Sequence, residues 1–132
     1  MAPAGGPDLQ DVTVLYVEDN DDLRLSIAML MEQPGRALTA CANGEEALAL
    51  CAANEYDIVI TDVSLPGISG TDLAKQLLAK QPDRWVVLCS GYEFGEWVRQ
   101  FGPHVRALRK PFEPEELEQL MDEISAAVRS RG

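Results

Sequence analysis

Apolar residues along the chain fall into five short runs: Val12 to Val17, Ala37 to Cys41, Ile58 to Ile60, Trp85 to Cys89 and Val105 to Arg109. Ile58-Val59-Ile60 is an unbroken β-branched run, the pattern of a strand buried on both faces of a parallel sheet. Trp85-Val86-Val87-Leu88-Cys89 reads the same way. Ala37 to Cys41 carries little side-chain bulk, and Arg106 and Arg109 interrupt the last run, so both suit the edges of a sheet.

Between these runs the apolar spacing changes to that of helices. Leu23, Ile27, Leu30 and Met31 fall on one helical face that Pro34-Gly35 stops. Asn43 with Glu46 gives a capping-box start to a helix striped by Ala47, Leu48 and Cys51. Ser69 with Asp72 repeats that spacing before Leu73, Leu77 and Leu78, and Pro82 ends the segment. A short fourth helix is expected over Glu96 to Phe101, bounded by Gly95 and Gly102. Pro114 stands in the first turn of the last helix, whose stripe is Leu117, Leu120, Met121, Ile124 and Val128. Glu115, Glu116 and Glu118 near its start and Arg129 near its end match the helix dipole.

Five alternations of strand and helix with short connections predict an α/β doubly wound domain with five helices over residues 11–130, after a disordered tail over 1–10. Right-handed crossovers with strand order 2-1-3-4-5, the flavodoxin-like arrangement, put the first and third strands side by side.

The length of 132 residues fits one such domain with a proper core. The formal net charge of -11 opposes binding to a nucleic-acid backbone, so no direct nucleic-acid contact is expected. No apolar run is long enough for a bilayer, and the N-terminus lacks the basic and apolar regions of a signal peptide. A cytoplasmic location is therefore expected, and, as a separate expectation, a monomer or weak dimer. Cys41, Cys51 and Cys89 lack metal-site spacing and read as reduced core thiols.

Chemistry enters at the strand ends. Asp62 closes the third run before Pro66-Gly67 turns the chain away, and Glu18 and Asp19 follow the first. In the 2-1-3-4-5 order these three carboxylates converge on one crevice. Two unit charges about 5 Å apart repel by roughly 3 kcal/mol at an effective dielectric of 20, so such a cluster implies a neutralising cation, and Mg²⁺ is the hard ion that prefers oxygen. Asn20, Asp21 and Asp22 read as a solvated acidic loop. Ser90 and Lys110 end the fourth and fifth runs and face the same edge. A hydroxyl and an ammonium beside metal-bound carboxylates suit a tetrahedral dianion, and Asp62 could attack phosphorus to become an aspartyl phosphate.

From Val12 to Val128 the chain resembles the receiver domain of two-component response regulators, of the chemotaxis-regulator-like kind. The motifs are Val17-Glu18-Asp19-Asn20, Asp62 followed by Leu65-Pro66-Gly67, Cys89-Ser90-Gly91-Tyr92 and Lys110-Pro111-Phe112. The resemblance implies that Asp62 is the phosphoacceptor in a two-component phosphorelay, taking its phosphoryl group from a sensor histidine kinase or phosphotransfer protein. It implies that Asp19 binds Mg²⁺ directly, Glu18 through water and Ser64 by its backbone carbonyl. Ser90 would hold a phosphoryl oxygen and Lys110 would pair with the phosphoryl group, often beside a cis Lys110-Pro111 bond. Ser64 and Tyr92 stand where such domains tune the lifetime of the phosphorylated form. The protein would be a signalling phosphoacceptor, not an enzyme acting on other substrates.

Three features depart from that family. Ala107 replaces the usual aromatic three residues before Lys110, the segment between Ser90 and Lys110 is short and glycine-broken, and the chain stops at Gly132. The last is expected of a free-standing receiver or of one cut from a larger protein, and the wording around Ser90 and Lys110 resembles receivers of hybrid sensor kinases. Other readings are a Mg²⁺-dependent phosphohydrolase with an aspartyl-phosphate intermediate, a flavin-binding protein and a phosphorylation-independent docking module. Ser64 stands where such hydrolases carry a second aspartate, and the acidic loop after the first run would repel a flavin phosphate. The lone His104 lies in a Gly-Pro loop and is not expected to be catalytic. Trp97 and Phe101 would anchor a partner if exposed, core packing being expected for one of them, and Trp85 is expected in the core.

Overall fold

The structure is a computed structural model and describes residues 11–91, 98 and 100–131. Its elements are β1 (Val12–Val17), α1 (Asp21–Met31), β2 (Arg36–Cys41), α2 (Gly44–Ala53), β3 (Ile58–Asp62), α3 (Gly70–Lys80), β4 (Trp85–Ser90), β5 (Val105–Arg109) and α4 (Pro114–Arg131). The strands form one parallel sheet in the order β2-β1-β3-β4-β5, with β2 and β5 at the edges. Tyr16 registers with Ile60 and Asp62 with Cys89.

Four α-helices, not five, are present among the described residues. Glu96 and Trp97 lie outside them, as do Tyr92 and the tail over 1–10. The described part of the expected fourth helix, Val98, Gln100 and Phe101, makes a short 3₁₀ turn. Val98 and Phe101 pack against Val86, Leu88, Val105 and Ala74, so Phe101 is committed to the core. Gly102 follows with φ of 107°, a conformation that ends any continuation.

Side-chain alternation divides the core. Val12, Val14, Tyr16, Ile58, Ile60, Val87 and Cys89 pack against α4 through Leu117, Met121 and Ile124, with Met31 of α1. Leu15, Val17 and Val59 pack on the other face against Ala47 of α2 and Leu73 and Leu77 of α3. α1 departs from its expected stripe: Met31 is buried, but Leu30 is exposed along with Leu25 and Met29. Trp85 is only partly buried, its ring meeting that of His104 edge-on with centroids 4.5 Å apart. That contact gives His104 a packing role.

Capping follows the sequence. Asn43 Oδ1 accepts from Glu46 N at 2.8 Å and Ser69 Oγ from Asp72 N at 3.1 Å. Asn20 caps α1, its Oδ1 accepting from Leu23 N at 2.9 Å. Asp21 and Asp22 are thus the first turn of α1, favourable at the positive end of its dipole, and not a solvated loop. No described helix is long and apolar enough to cross a membrane.

The start of α3 is tied to the end of β3. Gly70 N donates to the Val63 carbonyl at 2.9 Å, and a Cβ at position 70 would collide with the main-chain carbonyl of Asp62. Gly70→Ala is therefore expected to cost about 3 kcal/mol or more, at the upper end of overpacking, because backbone must move. Urea denaturation measures it, and a loss below about 1 kcal/mol would contradict the close approach.

Candidate functional site

Parallel strands all present their carboxyl ends at one edge, so the residues just beyond β1, β3, β4 and β5 share a rim. Glu18, Asp19 and Asp62 meet there, each with one carboxylate oxygen within 4.8 Å of the others. Glu18 is only 2% exposed, Asp62 is partly buried and Asp19 is exposed. Three hard oxygen donors in this arrangement fit a Mg²⁺-type cation.

Lys110 enters from the end of β5. Its Nζ is 2.8 Å from Glu18 Oε1 and 3.2 Å from Asp62 Oδ2. Each contact is worth roughly 5 kcal/mol at an effective dielectric of 20 before desolvation. Its main-chain N donates to the Ser90 carbonyl at 2.7 Å, which ties Lys110 to the end of β4. The Lys110-Pro111 peptide is cis.

Ser90 is buried at the rim, and Val63 N donates to the Cys89 carbonyl at 2.8 Å beside it. Ser64 is exposed in the turn two residues past Asp62. Ala107 is exposed on β5, so no side chain at that position fills the space an aromatic would take.

Two supporting contacts escaped the sequence reading. Asn20 N donates to Glu18 Oε2 at 3.1 Å, so both oxygens of that buried carboxylate are satisfied. Arg24 donates from one guanidinium nitrogen to the Glu18 carbonyl at 2.9 Å and from the other to Asp21 Oδ1 at 2.6 Å. The Arg24–Asp21 spacing of three on a helix was a visible signal; the reach back to Glu18 was not.

The electrostatics follow from burial. Desolvation raises the Asp62 carboxyl above its ordinary 3.8; Lys110 opposes this, and Glu18 and Asp19 add to it. Burial works to lower Lys110, but its hydrogen bonds and charge contacts with Glu18 and Asp62 prevail and raise it above 10.5. Burial, with Glu18, Cys89 and Asp62 nearby, raises the Tyr16 phenol. The buried Cys89 thiol is pushed up to about 12.

Residues 14–122 match the response regulator receiver domain family model. The chain belongs to that family. As a receiver domain of the two-component type, it is 33% identical over 122 residues to a cyclic di-GMP phosphodiesterase of Thermotoga maritima, covering 91% of this chain and 32% of that protein. It is 31% identical over 116 residues to the sensor kinase CckA of Brucella abortus, covering 85% of this chain and 12% of the kinase. The receiver thus spans a third or less of these two relatives.

Among solved structures, the receiver of Francisella response regulator 1452 superposes with TM-score 0.80 at 26% identity, covering 89% of this chain and 98% of that one. The response regulator TrrA of Thermotoga maritima, solved with Mg²⁺-BeF, superposes with TM-score 0.76 at 26% identity, covering 86% and 98%.

Because Asp62 holds its proton above 3.8 in the fold, its contribution to stability is greatest below that pH and falls as pH rises through the folded value. In metal-free buffer, Asp62→Asn is therefore expected to be more stable than the parent receiver at pH 7. The advantage should shrink as pH falls toward 4, read from denaturation midpoints across pH. A variant less stable than the parent at pH 7 would show that the Lys110 pairing outweighs burial.

Proposed function

We propose that residues 11–130 act as a phosphorelay switch in which Asp62 accepts a phosphoryl group from a histidine kinase or phosphotransfer protein. The observation that carries this reading is the convergence of Glu18, Asp19 and Asp62 within 4.8 Å, with Lys110 3.2 Å from Asp62. The TrrA neighbour with Mg²⁺-BeF supports it by likeness of fold.

Glu18, Asp19, Asp62 and the main-chain carbonyl of Ser64 would hold Mg²⁺, which when bound supplies positive charge to the phosphoryl oxygens. Asp62 attacks phosphorus through a carboxylate oxygen, and the phosphorus–nitrogen bond of the donor phosphohistidine breaks, its electron pair leaving with the imidazole. Lys110 turns from Asp62 to a phosphoryl oxygen, and Ser90 donates its hydroxyl to another. Charge stabilisation of this kind is the main contribution a protein makes to phosphoryl transfer. The receiver catalyses only its own phosphorylation and dephosphorylation. With Ala107 in place of an aromatic, the change passes to the partner-binding face through backbone and helix shifts.

The donor docks on α1, which begins two residues past Asp19 and exposes Leu25 and Met29 at 64% and 65%. Apolar anchors beside the acceptor would seat the donor histidine over Asp62.

Incubation with acetyl phosphate is expected to add one phosphoryl group by intact mass only when Mg²⁺ is present, and Asp62→Asn should abolish it. Addition without metal, or persistence in the variant, would remove Asp62 as the acceptor. Steady turnover of a phosphate ester would instead favour a hydrolase.

Replacing Leu25 and Met29 together by Ser should slow transfer from a phosphorylated histidine donor about tenfold or more. The acetyl phosphate rate should stay unchanged. Equal slowing of both reactions would place the defect in the pocket and exclude α1 as the docking face.

A further inference from the structure

A cleft of about 480 Å³ opens at the opposite edge of the sheet, where α2 and α3 end and β3 and β4 begin. It is separated from the acidic pocket by the length of a strand, about 17 Å for five residues. Its walls include Leu48, Cys51, Leu77, Lys80, Gln81 and Arg84.

Arg84 is 6% exposed. One of its terminal nitrogens donates to Cys51 Sγ at 3.3 Å and the other to Gln81 Oε1 at 2.7 Å, while Nε is buried with no partner. No described carboxylate forms an ion pair with it. The other buried arginine shows what full compensation looks like. Arg36 donates to the Met31 carbonyl at 2.8 Å and pairs with Glu118 at 3.3 Å and Asp122 at 4.0 Å. Burying a guanidinium against neutral acceptors alone is unfavourable. A thiol is among the weakest acceptors available, and burial keeps Cys51 in its neutral form by raising its pKa above 9.0. The cleft therefore holds a desolvated cation that lacks a counter-ion and opens onto solvent.

The surroundings restrict what could supply it. Glu55 lines the rim, and the carbonyl ends of α2 and α3 reach the same place, so a second negative charge on the occupant would be opposed. Lys80 also lines the cleft. Leu48 and Leu77 offer an apolar wall. We propose that this cleft is a binding site for a small organic monocarboxylate, with its carboxylate on the Arg84 guanidinium and its apolar body against Leu48 and Leu77. A carboxylate can take two guanidinium N–H groups at once, replacing the thiol and amide contacts. The phosphoacceptor pocket takes no part in this contact.

Titration of the full chain with benzoate and with butyrate, followed by ¹H–¹⁵N correlation spectra, tests the site. The expected result is saturating shifts confined to residues around Leu48, Ala52, Leu77 and Gln81, absent in Arg84→Met. If that variant fails to fold, Ala52→Glu places a carboxylate at the mouth of the cleft with Arg84 intact and should abolish saturation. The proposal is overturned if the parent chain shows no saturating shift, or if the shifts persist in a folded Arg84→Met or Ala52→Glu. Tighter binding of inorganic phosphate at the same residues would also overturn it, since a monocarboxylate would then not be the preferred occupant.

Discussion

One ammonium shared between carboxylates from two strands holds the functional end of this receiver together. Lys110 reaches both Glu18 and Asp62, so β5 is coupled electrostatically to β1 and β3 although it touches neither in the sheet order. Without that cation, Glu18 would stand as a buried negative charge next to two others. Its second oxygen is occupied by Asn20 N, and Arg24 holds its carbonyl. Glu18 is therefore balanced by fixed donors, whereas the three carboxylates together carry more negative charge than the one lysine cancels, which leaves the pocket suited to a further cation.

The scaffold makes this balance possible by burying the strands that carry it. β1 and β3 are the central strands, and their side chains fill both core clusters. Gly70 lets α3 approach the Asp62 carbonyl with no side chain between them. The end of β3 is thereby fixed on one side by α3 and on the other by β4 through Val63 N and the Cys89 carbonyl. A carboxylate at such a point is partly removed from water, and that desolvation raises its pKa despite a lysine at hydrogen-bond distance.

The two edges of the sheet treat their buried charges differently. At the carboxyl edge the buried Glu18 and the partly buried Asp62 both meet Lys110. At the amino edge Arg84 meets a thiol and an amide. Arg36, in the same fold, is compensated by α4, so the unpaired state of Arg84 is a local property of the α2–α3 cleft and not a general tolerance of the core.

The sequence alone determined the strand order, the edge positions of β2 and β5, and the convergence of Glu18, Asp19 and Asp62 with Lys110. These follow from local rules: β-branched runs make buried strands, parallel crossovers have one hand, and strand ends share one rim. It read Asn20 to Asp22 as loop, because a first helical turn and an acidic loop have the same composition. It expected five helices and a fully apolar inner stripe on α1, whereas the described residues form four and leave Leu30 exposed. Which face of α1 turns inward depends on how much room α4 and β2 leave, and no spacing within α1 records that. The Arg24 contact to Glu18 and the unpaired guanidinium of Arg84 were likewise decided only by tertiary structure. Whether a long, flexible cation finds a carboxylate, a carbonyl or a thiol is set by what distant segments place within its reach.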